Sequence, residues 1–441
     1  MAQYGSLPPG RPGGPGAGSR RGAPPSAVPP VRPSPTREAV RGRTPVTDRA
    51  GTPGWTVAPG GFPKPPRRRR RRLLRWLGLV MVLVVLAGAG TGWWTYRTLD
   101  GNITEDSSAA AELERYERER PNRFVGGSRN ILLIGSDSRS GTDNARYGQD
   151  GGTQRSDTTI LLHVAADRNS ATAVSIPRDL MAQIPSCLRP DGSRTGDRFA
   201  QFNWAYEWGG AACTIRTVEK LTGIRIDHHM VVDFRGFKKM VDAVGGVEIC
   251  LKKPVSDTEA KLTLPAGRQI LHGEQALGFV RARYSLGGGS DTERMERQQQ
   301  FLGSLVKKVQ SNGVLLNPGR LYPLLDAATS SITTDPGLAS LRDLYELVRG
   351  MRDIPTDKVQ FLTVPRKPYA VDPNRDELVQ PDAARLFGQL RMDRPLTIAS
   401  PDSSAPPRPQ DRKPAATPGT GAGPTPVPTF TGTTAGAASC R

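Results

Sequence analysis

The 441-residue sequence holds four cysteines, Cys187, Cys213, Cys250 and Cys440, and four histidines, and none of the eight falls into a CxxC or His/Cys metal-ligand spacing. That excludes a zinc module. The histidines take structural positions: His163 in a strand, His228 and His229 alternating across one, and His272 at a turn. No GxSxG elbow or Ser/His/Asp arrangement stands out, and Gly287 to Gly289 lack the Lys and Ser/Thr of a phosphate loop. There is no internal repeat, and no helix-turn-helix pattern in the N-terminal 72 residues.

What the chain has in quantity is proline, glycine and arginine, gathered at its ends. Residues 1–72 and 396–441 carry no hydrophobic period, so neither segment can bury enough apolar surface to offset the entropy of ordering. Both read as disordered tails. The net charge of +19 belongs mostly to the first of them. Residues 1–75 hold sixteen Lys and Arg against Glu38 and Asp48, so the basicity is no argument for a nucleic-acid surface on the folded part. Nucleic acid is therefore not an expected partner.

Residues 73–96 form the one long apolar run, with no charge from Trp76 to Tyr96. At 1.5 Å per residue this stretch crosses a hydrocarbon core of about 30 Å. Trp76 at one end and Trp93, Trp94 and Tyr96 at the other are placed as interfacial anchors. The block Arg67 to Arg72 supplies a positive-inside signal, keeping the N-terminus cytoplasmic and the rest extracellular. A cleaved leader fits poorly, because the run is too long for an h-region and begins about 70 residues in. Residues 97–127 read as a polar stalk, and 128–395 as one folded domain. Four cysteines allow three full pairings. Cys187–Cys213, which closes the loop between a strand and a helix, is the favoured one. Cys250, inside an apolar run, reads as a buried free thiol, and Cys440 as a tail residue that need not pair.

The domain reads as α/β of the mixed α+β kind, a central mixed sheet flanked by helices. Strands are expected at 130–137, 158–167, 171–177, 227–234, 247–251 and 358–365, the last closing the sheet. A tight turn between 158–167 and 171–177 predicts an antiparallel hairpin. Helices are expected at 213–223, 235–246, near 273–283, at 291–310, and near 318–330 and 337–350.

Charged residues cluster at the ends of these elements. Asp137 and Arg139 leave the first strand on one face, and Arg155 and Asp157 mirror them before the second. Arg178 and Asp179 follow the third strand, with Pro177 fixing the backbone before them. Arg281 and Arg283 end a helix. In the next, Asp291, Arg294 and Gln298 share one face with Arg297 adjoining, and Gln298 to Gln300 run into the apolar Phe301-Leu302. Taken singly, each cluster is an ordinary ion pair or helix-dipole contact. Together, fixed cations beside carboxylates that could hold Mg²⁺ or Mn²⁺ suit a pyrophosphate.

In their order and wording, "NILLIGSDSR", "RSDTTILLHV", "SIPRD", "FNWAYEWGG", "VVDFRGF", "VDAVGGVEICL", "ALGFVRAR" and "DTERMERQQQ" resemble the LytR-CpsA-Psr family of cell-envelope glycopolymer ligases. The resemblance covers about residues 129–390. It implies a Mg²⁺-dependent phosphotransferase that moves a glycopolymer from an undecaprenyl-pyrophosphate carrier to a peptidoglycan hydroxyl, at the outer face of a lipid bilayer. It places metal on Asp137 and Asp157, and pyrophosphate on Arg155, Arg178, Arg281 and Arg283 with Arg139 nearby. Asp291, Arg294 and Gln298 fall in its final motif, and Asn203 in its "FN" motif as a positioning group. Asp291 or a metal-binding aspartate would take the acceptor's proton. Two other readings stand beside the ligase: a non-catalytic protein binding lipid pyrophosphate or wall glycan, and a membrane-bound transcriptional regulator, a label the family has carried. The regulator needs a DNA-binding fold that residues 1–72 do not offer. Arginine, proline and glycine abundance fits an actinobacterial source. Polymer identity, acceptor hydroxyl and oligomeric state are not legible.

Overall fold

A computed structural model describes residues 67–123, 126–136, 156–282, 291–310, 318–399 and 429–437. The chain divides into Met1–Arg71 and Arg72–Arg441, and the second unit carries the fold. Helix α1 (Arg67–Gly101) contains the apolar run, which is fully exposed and long enough to cross a membrane.

The expected mixed sheet is present, with nine strands. In chain order they are β1 (Thr104–Glu105), β2 (Arg129–Ser136), β3 (Ser156–Val164), β4 (Ala171–Ile176), β5 (His228–Asp233), β6 (Ile332–Thr334), β7 (Val359–Thr363), β8 (Thr397–Ala399) and β9 (Thr429–Thr434). Across the sheet the order is β1-β6-β5-β2-β3-β4-β7-β9-β8. Strands β2, β3 and β4 form an antiparallel meander, with β5 parallel to β2 on one side and β7 parallel to β4 on the other. Because side chains alternate, adjacent residues serve opposite faces. Leu161, Val174 and Leu362 face a core closed by α2 (Ser107–Arg115), α3 (Trp204–Thr222) and α9 (Asp382–Arg391). Ile160, Ala173 and Phe361 face Leu302 and Val306 of α6 (Asp291–Gln310) and Met351 of α8 (Leu341–Arg352). Burial on both faces explains why these strands read as near-continuous apolar runs. A second core joins α4 (Phe234–Ala243), α5 (Gly273–Arg281) and Leu324 of α7 (Pro318–Thr329) to two small hairpins, one of which contains the strand at 247–251.

Three expectations need correction. The 97–127 segment is no stalk: Leu99 is 3% exposed, β1 pairs with β6, and α2 packs its Leu113 into the main core. Several of its charges are paired with the domain. Arg120 donates to Glu219 at 2.8 Å, Arg194 to Glu112 at 3.1 Å and Arg225 to Glu117 at 2.7 Å. Second, the C-terminal tail is not wholly disordered, since β9 inserts between β7 and β8, so the strand at 358–365 does not close the sheet. Its alternating Thr-Phe-Thr-Gly-Thr-Thr was hidden by the Pro/Gly-rich composition preceding it. Third, Cys250 is no free thiol but disulfide-bonded; the expectation for Cys440 lies outside the described residues.

Cys187 and Cys213 are bonded as expected, their Cα atoms 5.5 Å apart, closing a 26-residue separation. Removing that closure enlarges the unfolded ensemble, so a Cys187→Ala/Cys213→Ala variant is expected to lose about 3 kcal/mol in urea unfolding. An unchanged midpoint would show that the crosslink constrains nothing.

Asp106 caps α2 by accepting from the Ala109 N–H at 2.9 Å and the Ser108 hydroxyl at 2.8 Å, with the His229 ring 3.5 Å away. Burial opposes its ionisation, but these bonds and the His229 ring outweigh that and hold the carboxyl down at about 2. A depressed carboxyl stabilises fully above its unfolded value of 3.8, and the contribution is lost as pH falls toward 2. Asp106→Ala is therefore expected to cost about 1 kcal/mol at pH 7, with the gap from wild type narrowing in unfolding curves below pH 4.

Candidate functional site

Strand β3 starts where β4 ends, because the two are antiparallel, and α6 crosses over that end of the sheet. The helix is pinned there by Gln299, 4% exposed, which donates to Ser175 Oγ at 3.3 Å and Thr363 Oγ1 at 3.0 Å. This glutamine is why the polar stretch runs into the core: it ties α6 to β4 and β7 together. Just before it, α6 presents Arg294, Met295 and Gln298 to the cleft, whose other walls are Asp157 to Thr159 of β3 and Ser175 to Arg178 at the end of β4. Four residues expected from the sequence, Asp157, Arg178, Arg294 and Gln298, thus line one cleft. They come from three elements separated by up to 141 positions in sequence.

Arg178 is the most constrained of them. Its Nη1 donates to Asp157 Oδ1 at 2.9 Å and its Nε to Asp179 Oδ2 at 3.2 Å. Asp179 is held in turn by Arg375 at 3.3 Å and by the Gln201 side-chain amide. Main-chain bonds fix the same corner: the Asn203 N–H reaches the Arg178 carbonyl at 3.1 Å, and the Asp376 N–H reaches that of Asp179 at 3.1 Å. The guanidinium keeps a 23% exposed side chain, so it is immobilised yet open to the cleft. A planar cation held this way is a preorganised receptor for phosphate oxygens.

Asn203 is 4% exposed and its Oδ1 takes no hydrogen bond from a described residue. It sits directly behind the Arg178 corner. Gln298 also donates to the Val280 carbonyl at 3.2 Å. Arg281 lies 4.9 Å over the Phe234 ring, on the neighbouring helix pair rather than in the cleft wall. Arg297 is 6% exposed, donates to the Ala282 carbonyl, and burial pushes its pKa down; Arg294 is as deeply buried, at 4% exposed. The place of Arg297 in the structure is a tie between α6 and the end of α5. Asp137, Arg139, Arg155 and Arg283 lie outside the described residues, as does the Asp291 side chain.

For a divalent ion, the cleft offers Asp157, whose second carboxylate oxygen takes no hydrogen bond from a described residue. Among the described residues no cluster of three or more His, Cys, Asp or Glu could hold a metal.

The profile of the LytR_cpsA_psr family matches residues 100–390. The chain belongs to that family. Cell wall biosynthesis protein LcpA of Corynebacterium glutamicum is 32% identical over 66% of this chain and 59% of its own length, so the chain spans well under two thirds of that relative. TagV of Bacillus subtilis, a polyisoprenyl-teichoic acid–peptidoglycan teichoic acid transferase, is 28% identical over 69% of this chain and 74% of its own. The crystal structure of protein gbs0355 from Streptococcus agalactiae superposes with a TM-score of 0.50 at 23% identity, over 60% of this chain and 87% of that one, a likeness of fold.

In this LytR-CpsA-Psr domain, Gln201, Gln299 and Arg375 complete the site's support and were missed in the sequence. Gln201 and Arg375 carry no motif and meet Asp179 only through tertiary structure. Gln299 had a signal, a glutamine run ending against an apolar stretch, but not one that named its partners.

Proposed function

We propose that this protein transfers a glycopolymer from a polyprenyl-pyrophosphate carrier to a peptidoglycan hydroxyl, on the outer side of the membrane that α1 spans. The observation that carries the reading is the convergence of Arg178, Asp157, Arg294 and Gln298 on one cleft. The names of the family relatives supply the substrate class.

The acceptor oxygen attacks the sugar-linked phosphorus. A phosphodiester forms, the bridging P–O bond breaks, and polyprenyl phosphate leaves with the electron pair. Charge grows on the phosphoryl and leaving oxygens, so positioning and fixed cations supply most of the catalysis. Arg178 and Arg294 are the cations of the described cleft, and Gln298 is a neutral donor beside them. Asp157 holds Arg178 in place and is the cleft carboxylate able to accept the acceptor's proton. Mg²⁺ or Mn²⁺ would be held by Asp157, with Asp137 as the second ligand expected from the sequence, and would neutralise pyrophosphate charge.

The test uses full-length protein in nanodiscs, labelled glycan on undecaprenyl pyrophosphate, and peptidoglycan oligomers, following transfer and lipid phosphate release. Transfer by wild type supports the proposal; tight lipid-pyrophosphate binding without transfer would instead identify a carrier-binding protein. Asp157→Asn is expected to weaken Mg²⁺ binding tenfold or more, about the loss seen when a metal site is disturbed, in calorimetry with inorganic pyrophosphate present. Equal Mg²⁺ affinity in the two proteins would remove Asp157 from the metal site.

A further inference from the structure

A small hairpin of strands Met181–Ile184 and Arg198–Gln201 stands beside the Arg178 corner. Side chains alternate along Arg198–Gln201, so Ala200 turns inward to pack with Ile184 while Phe199 and Gln201 share the opposite face. On that face the Gln201 amide grips Asp179, the carboxylate that holds Arg178. Phe199 stands two residues along the same face, about 7 Å from Gln201, with its ring 54% exposed.

Two polar groups border that ring. Gln183 pairs directly with Phe199 across the hairpin, is exposed, and makes no hydrogen bond to a described residue. Directly opposed residues hold their Cβ atoms about 5 Å apart, so the amide adjoins the ring. Tyr369 comes from the neighbouring hairpin of Arg366–Pro368 and Asp376–Leu378 and sits edge-on to Phe199, ring centroids 6.1 Å apart. Its main-chain N–H donates to the Arg375 carbonyl at 2.9 Å, and the Arg375 side chain reaches Asp179 at 3.3 Å. Both hairpins are thereby tied to the carboxylate that fixes Arg178, yet neither lines the cleft formed by Arg178, Arg294 and Gln298.

We propose that Phe199, Gln183 and Tyr369 form a sugar subsite for the acceptor, on which one ring of the peptidoglycan strand stacks while a hydroxyl further along it reaches Asp157. The identity of the ligand rests on the ligase reading above. A sugar ring presents an apolar C–H face and a rim of hydroxyls; the flat exposed phenyl ring suits the first, the amide and phenol the second. A bilayer suits this surface less well, because lipid would bury the Gln183 amide without a partner. The acceptor is favoured over the donor because the donor's pyrophosphate takes the cleft between Arg178 and α6. That leaves the open surface on the Asp179 side to the second substrate. Arg178 bridges Asp157 and Asp179, so a strand lying on Phe199 reaches the proton-accepting carboxylate across one guanidinium.

The experiment titrates lipid-free peptidoglycan oligomers into full-length protein in nanodiscs, by calorimetry. Phe199→Ala is expected to weaken binding about tenfold with the unfolding curve unchanged, since the ring is exposed, and Phe199→Tyr to keep wild-type affinity. In transfer assays Phe199→Ala should raise KM for the oligomers by a similar factor while kcat and the KM of the lipid-linked donor stay near wild type, the pattern of binding remote from the reacting bond. No oligomer binding by wild type, or equal affinity of Phe199→Ala, would overturn the subsite. A raised KM for the donor alone would give the surface to the donor's glycan and overturn the acceptor assignment. Transfer impaired only when the donor sits in a bilayer rather than in detergent, at unchanged oligomer affinity, would make the surface a membrane contact instead. Phe199-dependent oligomer binding by a protein that transfers nothing would keep the subsite and sink the ligase reading.

Discussion

Replacing Arg178 by alanine is expected to lower glycopolymer transfer by about 10² to 10³-fold while the domain stays folded. The magnitude is that of losing one preorganised donor to developing oxygen charge, about 3 to 4 kcal/mol of barrier. Retention of the fold follows from the partners left behind. Asp179 keeps Arg375 and Gln201, and the corner keeps its main-chain bonds to Asn203 and Asp376, none of which needs the Arg178 side chain. Arg178→Lys separates charge from geometry. Lysine retains the cation but cannot bridge Asp157 and Asp179 in one plane, so most of the loss should persist. A structural ion pair predicts another pattern, in which stability falls and transfer per folded molecule is unchanged. Unfolding curves measured beside transfer rates on the same preparations decide between them.

The α/β character, the β3–β4 hairpin and α6 were legible because each is a long periodic segment bounded by turn residues. The helix at 213–223 was legible from its Gly223 stop, where φ is +66°, though α3 begins earlier, at Trp204, and bends at Gly209 and Gly210. What escaped was whatever depended on partners distant in sequence. Glu112, Glu117 and Arg120 fall in the segment that read as a polar stalk and are domain contacts, because an ion pair formed across about 80 to 110 positions leaves no local pattern. In the site, Asp157, Arg178, Arg294 and Gln298 were legible by residue type and end-of-element position. Arg297 shows the limit of that logic: sharing a helix with Arg294 does not place it in the same cleft. Three positions further along α6 than Arg294, its guanidinium reaches the Ala282 carbonyl.

Ending the chain at Pro428 is expected to destabilise the domain by more than 3 kcal/mol and to weaken transfer as well, although residues 396–441 look dispensable by composition. Strand β9 supplies the sheet partner for both β7 and β8. Phe361 and Leu362 pair with Thr433 and Gly432, and Ile398 with Phe430. Gly432 is needed there, since a Cβ on it would clash with the Phe361 carbonyl oxygen. Phe430 is 8% exposed and Ala435 fully buried, and loss of a buried phenylalanine side chain alone costs about 3 to 5 kcal/mol. Without β9, β7 becomes an edge and β8 has no neighbour. Thr363 on β7 accepts from Gln299, so loosening β7 reaches α6, and through it Arg294 and Gln298 in the cleft. Phe430→Ala should reproduce about 3 kcal/mol of the stability loss. Deleting residues 406–420 should cost little, because fourteen residues still join β8 to β9 and loop closure depends only weakly on length. Urea unfolding of the three variants tests this directly, and equal stability of wild type and the chain ending at Pro428 would show that the returning strand holds nothing together.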